Sequence, residues 1–160
     1  MIELIRAITI LVENDVEFVV IGGMAIRSHG SGYLTQDLDI CYSRSAENLK
    51  NLAKALAPLN PRPRNFPAEL PFIWDDTTLR NSTNFTLETG LCDIDLLAEV
   101  PGLGAYPEVV AESVQIQVDG RPVNVLSIDG LIKAKTTTGR EKDIPGLKEL
   151  EALKQALEED

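Results

Sequence analysis

The stretch Phe18-Val-Val-Ile-Gly-Gly-Met-Ala-Ile-Arg-Ser-His-Gly-Ser-Gly-Tyr-Leu-Thr-Gln-Asp-Leu-Asp-Ile-Cys41 organises the chain. Four apolar residues, Phe18 to Ile21, lead into Gly22 and Gly23, the pattern of a buried strand that turns sharply into a helix. With no side chain on either glycine, an anion can approach the main chain there, and the unpaired amides of a helix start favour phosphate. The stretch closes on Asp37-Leu38-Asp39-Ile40. Alternation along a strand puts both carboxylates on one face and both aliphatics on the other.

Working outward, Cys92-Asp93-Ile94-Asp95-Leu96-Leu97 repeats the same alternation, so Asp93 and Asp95 also share a face. If that strand lies beside the first, three or four carboxylates converge. Such a cluster raises the pKa of its members unless a cation intervenes. All-oxygen ligation selects Mg²⁺ or Mn²⁺ over zinc, and such ions suit phosphoryl displacement. His29 is the only histidine, which leaves no partner for a histidine-rich zinc site and no Ser-His-Asp arrangement; it reads as a loop residue.

The remaining elements fit around these strands. Ile2, Ile5, Ile8, Leu11 and Val12 recur at helical spacing, so the chain opens with an amphipathic helix that closes at Asn14-Asp15. A short helix is expected over 24–28 and a strand over 35–42, then a helix capped by Ser43 or Ser45 that ends before Pro58. Pro58, Pro61, Pro63, Pro67 and Pro71, with Arg62 and Arg64 among them, read as an extended, mobile loop rather than packed structure. Strands follow at 84–88 and 91–99, a hairpin turns at Asp119-Gly120, and helices at 129–137 and 146–157 flank Gly139. The order of elements gives an α/β (α+β) chain with a small mixed sheet flanked by helices, organised as one domain over residues 1–160.

Composition narrows the partners. The 160 residues are 44% hydrophobic, enough for one buried core, and 25 acidic against 15 basic residues leave a charge of −10. That balance disfavours extended nucleic acid, whose phosphates must be met by Lys and Arg, unless Arg44, Lys50, Lys54, Arg62 and Arg64 gather into a patch. No apolar run approaches the ~20 residues of a membrane span. Cys41 and Cys92 sit in apolar strand-like runs and read as small core residues of a reducing compartment, with the cytoplasm as the expected location.

Taken together, Gly22-Gly23, Asp37-x-Asp39 and Ile94-Asp95 resemble the hG[G/S]…DhD…hD signature of the nucleotidyltransferase superfamily. The Leu131-Ile132-x-x-Lys135 and Gly139-Arg140-x-Lys142-Asp143 stretches are similar to its minimal members related to AbiEii-type toxins of toxin–antitoxin systems. The resemblance implies a nucleotidyltransferase fold with metal-binding, catalytic aspartates at Asp37 and Asp39, and a third carboxylate at Asp95, with Asp93 as the alternative. It also implies Mg²⁺ or Mn²⁺ as cofactor, Gly22, Gly23, Lys135 and Arg140 as nucleotide-binding residues, and a nucleoside triphosphate as substrate. The implied reaction passes a nucleoside monophosphate to an unidentified protein, RNA end or small molecule. A cognate toxin or antitoxin is the implied protein partner, and a non-catalytic binding module of the same fold is the alternative. The chain departs from its relatives at Tyr33-Leu34, where they often carry an Arg, and near Gly146, where they often carry an acid.

Overall fold

The computed structural model describes residues 1–159. In it, β1 (Phe18–Ile21), β2 (Asp37–Tyr42) and β5 (Asp93–Leu97) form the middle of a seven-stranded sheet. Its order is β3-β4-β5-β2-β1-β9-β8, with β3 at Arg62–Pro63, β4 at Phe85–Glu88, β8 at Ser113–Val118 and β9 at Arg121–Leu126. The sheet is mixed, as expected. β1 runs antiparallel to β2 and parallel to β9, while β2 and β5 are parallel.

The helices are α1 (Ile2–Glu13), α2 (Gly22–Ser28), α3 (Ala46–Leu56), α4 (Asp76–Arg80), α5 (Tyr106–Ala111), α6 (Ile128–Thr138) and α7 (Ile144–Glu159). Leu38, Ile40, Ile94 and Leu96 are fully buried on one face of the sheet, in a core shared with Leu4, Leu11, Leu49 and Leu52 of α1 and α3. On the opposite face, α5 packs against β1, β2 and β9, and α2 packs against β2, α6 and α7. The carboxylate-bearing face is therefore the one that α2, α5 and α6 enclose.

Local chemistry fixes the ends of the elements. Ser45 Oγ accepts from Asn48 N at 3.2 Å to cap α3, and Ser127 Oγ accepts from Gly130 N at 3.0 Å to cap α6. Gly139 stops α6 in the left-handed conformation, φ +60°. Asp119 and Gly120 both take positive φ, 52° and 79°, which suits the tight β8–β9 turn.

Several boundaries differ from expectation. The strand of Asp37 and Asp39 begins at Asp37, where Thr35 turns its hydroxyl back to Asp37 O, and the strand of Asp93 and Asp95 stops at Leu97. A separate two-stranded ribbon follows, β6 (Glu99–Val100), which takes the last residue of the expected strand, with β7 (Gly104–Ala105), and β7 and α5 lie where no regular element was expected. The short helix starts two residues early, on the glycine pair itself. The proline-rich segment is not a free loop. Its residues Arg62–Pro63 form the edge strand β3 on β4, Arg64 N donates to Thr86 O at 2.8 Å, and beyond it Trp74 Nε1 donates to Ala53 O at 2.9 Å. Proline suits such an edge, since its missing N–H costs no ladder bond there.

Candidate active site

The parallel register pairs Asp37 with Asp93 and Asp39 with Asp95. Residues paired across a ladder share a face, so all four carboxylates project together from neighbouring strands spaced ~4.8 Å apart. Ile21, the last residue of β1, pairs with Asp39, so the start of α2 sits beside that carboxylate. Gly22 takes φ +66°, and a Cβ there would run into Asp39 Oδ2. Gly23 has the same constraint on its other side, where a Cβ would stand 2.8 Å from Thr35 Oγ1. Each glycine is thus required by a close approach.

A cavity of about 540 Å³ opens in front of this face. Its polar lining includes Gly22, Gly23, Thr35, Asp37, Asp39, Lys135, Arg140 and Asp143, and its apolar lining Val100, Pro101, Leu126, Leu131 and Ala134. The size suits a small molecule. Lys135 and Arg140 were expected beside the nucleotide, and both line the cavity through a partner not foreseen: Asp143, which is buried. Lys135 Nζ donates to Asp143 Oδ1 at 3.1 Å, while Thr138 Oγ1 and Arg140 Nε each donate to Oδ2 at 2.9 Å. Burial works against the Asp143 charge, but the bonds from Lys135, Thr138 and Arg140 outweigh it and hold its pKa below the ordinary carboxylate value. Gly146 makes room for this arrangement, since a Cβ there would stand 2.9 Å from Lys135 Cε.

Electrostatics set Asp39 apart. Burial, reinforced by Asp95 and then by the Asp37 charge, and opposed by Lys135, pushes its carboxyl up to about 7. Its Oδ1 is buried and accepts no hydrogen bond. Asp37 is also raised, by burial first, then lowered by Arg64 and raised again by Asp95 and Asp93. Asp95 takes a different partner. Arg64 Nη2 donates to Asp95 Oδ1 at 2.8 Å, and Arg64 Nε lies 3.2 Å from Asp93 Oδ2 without the alignment of a hydrogen bond. Arg64 was foreseen only as part of a basic patch. Of the other arginines, Arg44 donates to the carbonyls of Leu79, Arg80 and Ser82, and Arg62 to those of Pro67 and Leu70.

Among the described residues, no three acidic, histidine or cysteine side chains are already drawn together as a metal-binding group. The donor chemistry nevertheless fits a hard divalent ion. It is oxygen only, it carries one buried carboxylate oxygen with no partner, and Asp37, Asp39 and Asp95 all face one side. His29 is not a free loop residue: its Nε2 lies 2.9 Å from Leu126 O and ties the end of α2 to β9. Cys41 is buried in the core, Cys92 is half-buried, and neither is in a disulfide.

A scan against protein-family models and a search of curated proteins each found no match. Solved structures do resemble the chain. The antibiotic-resistance factor ANT(2'')-Ia in solution aligns over 98% of this chain and 90% of its own at 17% identity and TM-score 0.56. An antigenic nucleotidyltransferase-like protein from Paracoccidioides brasiliensis aligns over 94% and 75% at 14% identity and TM-score 0.56. ANT(2'')-Ia in complex with adenylyl-2''-tobramycin aligns over 96% and 93% at 16% identity and TM-score 0.54. The chain shares with these structures a mixed sheet flanked by helices. The chain has the nucleotidyltransferase fold that its sequence motifs implied.

Proposed function

We propose that the protein is a Mg²⁺- or Mn²⁺-dependent nucleotidyltransferase. The observation that carries this reading is a single cavity lined both by the carboxylates of Asp37 and Asp39 and by the cations of Lys135 and Arg140. A triphosphate alone is repelled by the first and attracted by the second, and a divalent ion reconciles the two.

In this reading Asp37, Asp39 and Asp95 hold the metal, which when bound neutralises charge on the phosphates and withdraws electrons from the phosphorus under attack. The amides at Gly22 and Gly23 and the side chains of Lys135 and Arg140 hold the triphosphate in place. Asp95 takes the proton from the acceptor hydroxyl. That hydroxyl oxygen bonds to the α-phosphorus as the bond to the β-phosphate bridge breaks, and pyrophosphate leaves.

The fold supports this reading, since one structural neighbour is an enzyme captured with an adenylylated aminoglycoside. The acceptor of the present chain is a small molecule, an RNA end or a protein, including a cognate toxin or antitoxin. No helix among the described residues is long and apolar enough to cross a membrane.

The test is incubation with each labelled nucleoside triphosphate, ATP included, and Mg²⁺, with and without a cell extract. Label on a protein, an RNA or a small molecule that disappears with Asp39→Asn supports transfer. Binding of the triphosphate with no transfer to any acceptor marks a binding module of the same fold instead.

A further inference from the structure

Arg64 reaches the site from the far edge of the sheet. Its backbone is fixed where β3 meets β4, through Arg64 N donating to Thr86 O at 2.8 Å, and Thr86 in turn pairs with Asp95. Its side chain is fixed at three points: Nη2 donates to Leu87 O at 3.0 Å and to Asp95 Oδ1 at 2.8 Å, and Nε stands 3.2 Å from Asp93 Oδ2. The guanidinium is therefore a cation built into a face of four carboxylates. The same guanidinium occupies one oxygen of Asp95, a carboxyl that also lies within hydrogen-bonding reach of Asp39.

We propose that Arg64 is the resident counter-ion of this cluster, and that its hold on Asp95 Oδ1 competes with a divalent ion for that carboxylate. The inference rests on the reading of those three aspartates as metal ligands. Arg64 is about one-quarter exposed at the side chain, so the guanidinium has solvent to swing into when it lets go. While it stays, the face is partly neutralised and the metal-free protein tolerates its own acids. Arg64 is thus a positioning residue that sets the threshold of divalent-ion uptake, acting through Asp95 rather than on a substrate.

Charge decides the sign of the effect. A unit positive charge roughly 6 Å from a divalent ion weakens its binding about tenfold even at the dielectric of water. Removing Arg64 should therefore tighten divalent binding while making the metal-free protein less stable. A merely structural arginine would lower stability and leave metal affinity where it was.

The experiment titrates Mn²⁺ alone into wild type, Arg64→Ala, Arg64→Lys and Asp39→Asn, following free Mn²⁺ by electron paramagnetic resonance, beside melting curves in chelator. Arg64→Ala is expected to bind Mn²⁺ about tenfold more tightly and to melt lower in chelator, while Arg64→Lys stays within about twofold of wild-type affinity. Equal or weaker Mn²⁺ binding by Arg64→Ala overturns the proposal. Should Arg64→Ala fail to fold in chelator, refolding in millimolar Mn²⁺ is expected, and failure to recover overturns it as well. Wild-type binding that Asp39→Asn abolishes but Arg64→Ala does not tighten sinks the role of Arg64 alone. No saturable binding by wild type sinks the metal-site reading and this one with it.

Discussion

Asp39 is the residue whose environment makes the sharpest demand. Its carboxyl stays protonated in the fold up to about pH 7, against 3.8 for an ordinary aspartate, so between those values the folded state holds a proton that the unfolded chain has lost. Metal-free stability must therefore fall as pH rises through that window. Asp39→Asn removes the penalty and is expected to raise metal-free stability by on the order of 1 kcal/mol at about pH 8. Near pH 4 the gain should vanish. Denaturant titrations in chelator at the two pH values check this, and a gain that does not change with pH contradicts it. Lys135 and Asp143 form the other charged set. Lys135→Ala takes one of three partners from a buried carboxylate and is expected to cost about 1–3 kcal/mol of stability as well as weakening triphosphate binding. Melting curves and equilibrium dialysis with a labelled triphosphate separate the two losses. The alternation of acids and aliphatics at Asp37 to Ile40 and Asp93 to Leu96 was legible because a strand has a period of two. Arg64 was not legible as their partner. Its pairing with Asp95 follows from the strand order β3-β4-β5, which no local pattern announces.

Two turns show how element ends constrain the site. Gly22 and Gly139 share nearly the same left-handed backbone, φ +66° and +60°, but their surroundings differ. At Gly139 an added Cβ meets nothing closer than 3.9 Å, whereas at Gly22 it meets Asp39. Gly139→Ala should cost about 1 kcal/mol, the conformational term alone. Gly22→Ala should cost at least about twice that and also impair Mg²⁺-dependent triphosphate stabilisation. Equal losses in urea titrations, with the ligand response intact in both, would mean that the glycine pair is only a turn. The cap of α3, at Ser45 rather than Ser43, and the stop at Gly139 were readable from single residues, whereas the Ser127 cap of α6 was not read. Helix α5 was missed because it has only six residues, opens on a proline at Pro107, and exists by packing on β1, β2 and β9.

Across the protein as a whole, acidic residues outnumber basic ones 25 to 15, a net charge of −10. Neutral salt is therefore expected to stabilise the metal-free protein, through screening of self-repulsion, and to weaken triphosphate binding at Lys135 and Arg140. Melting temperatures and triphosphate affinities measured over a sodium chloride series should move in opposite directions. The mixed α/β architecture was legible from the sequence because the central strands and the longer helices carried their own periods. The arrangement of the cavity was not, since its two charged edges come from β2 and from α6 and the turn after it, joined only through the folded sheet.

The pairing of Asp37 with Asp93 and Asp39 with Asp95 also governs how the sheet assembles. Were β5 to dock on β2 displaced by one residue, Asp93 and Asp95 would be driven into the apolar layer beside Leu38 and Ile40, while Ile94 and Leu96 would be turned out toward water. Burying even one unpaired carboxylate costs several kcal/mol, which is comparable to the whole stability of a small domain. A misaligned sheet is thus rejected as it forms. The same acids that crowd the finished site act during folding as a proofreading key, admitting one alignment of two strands that are distant in sequence.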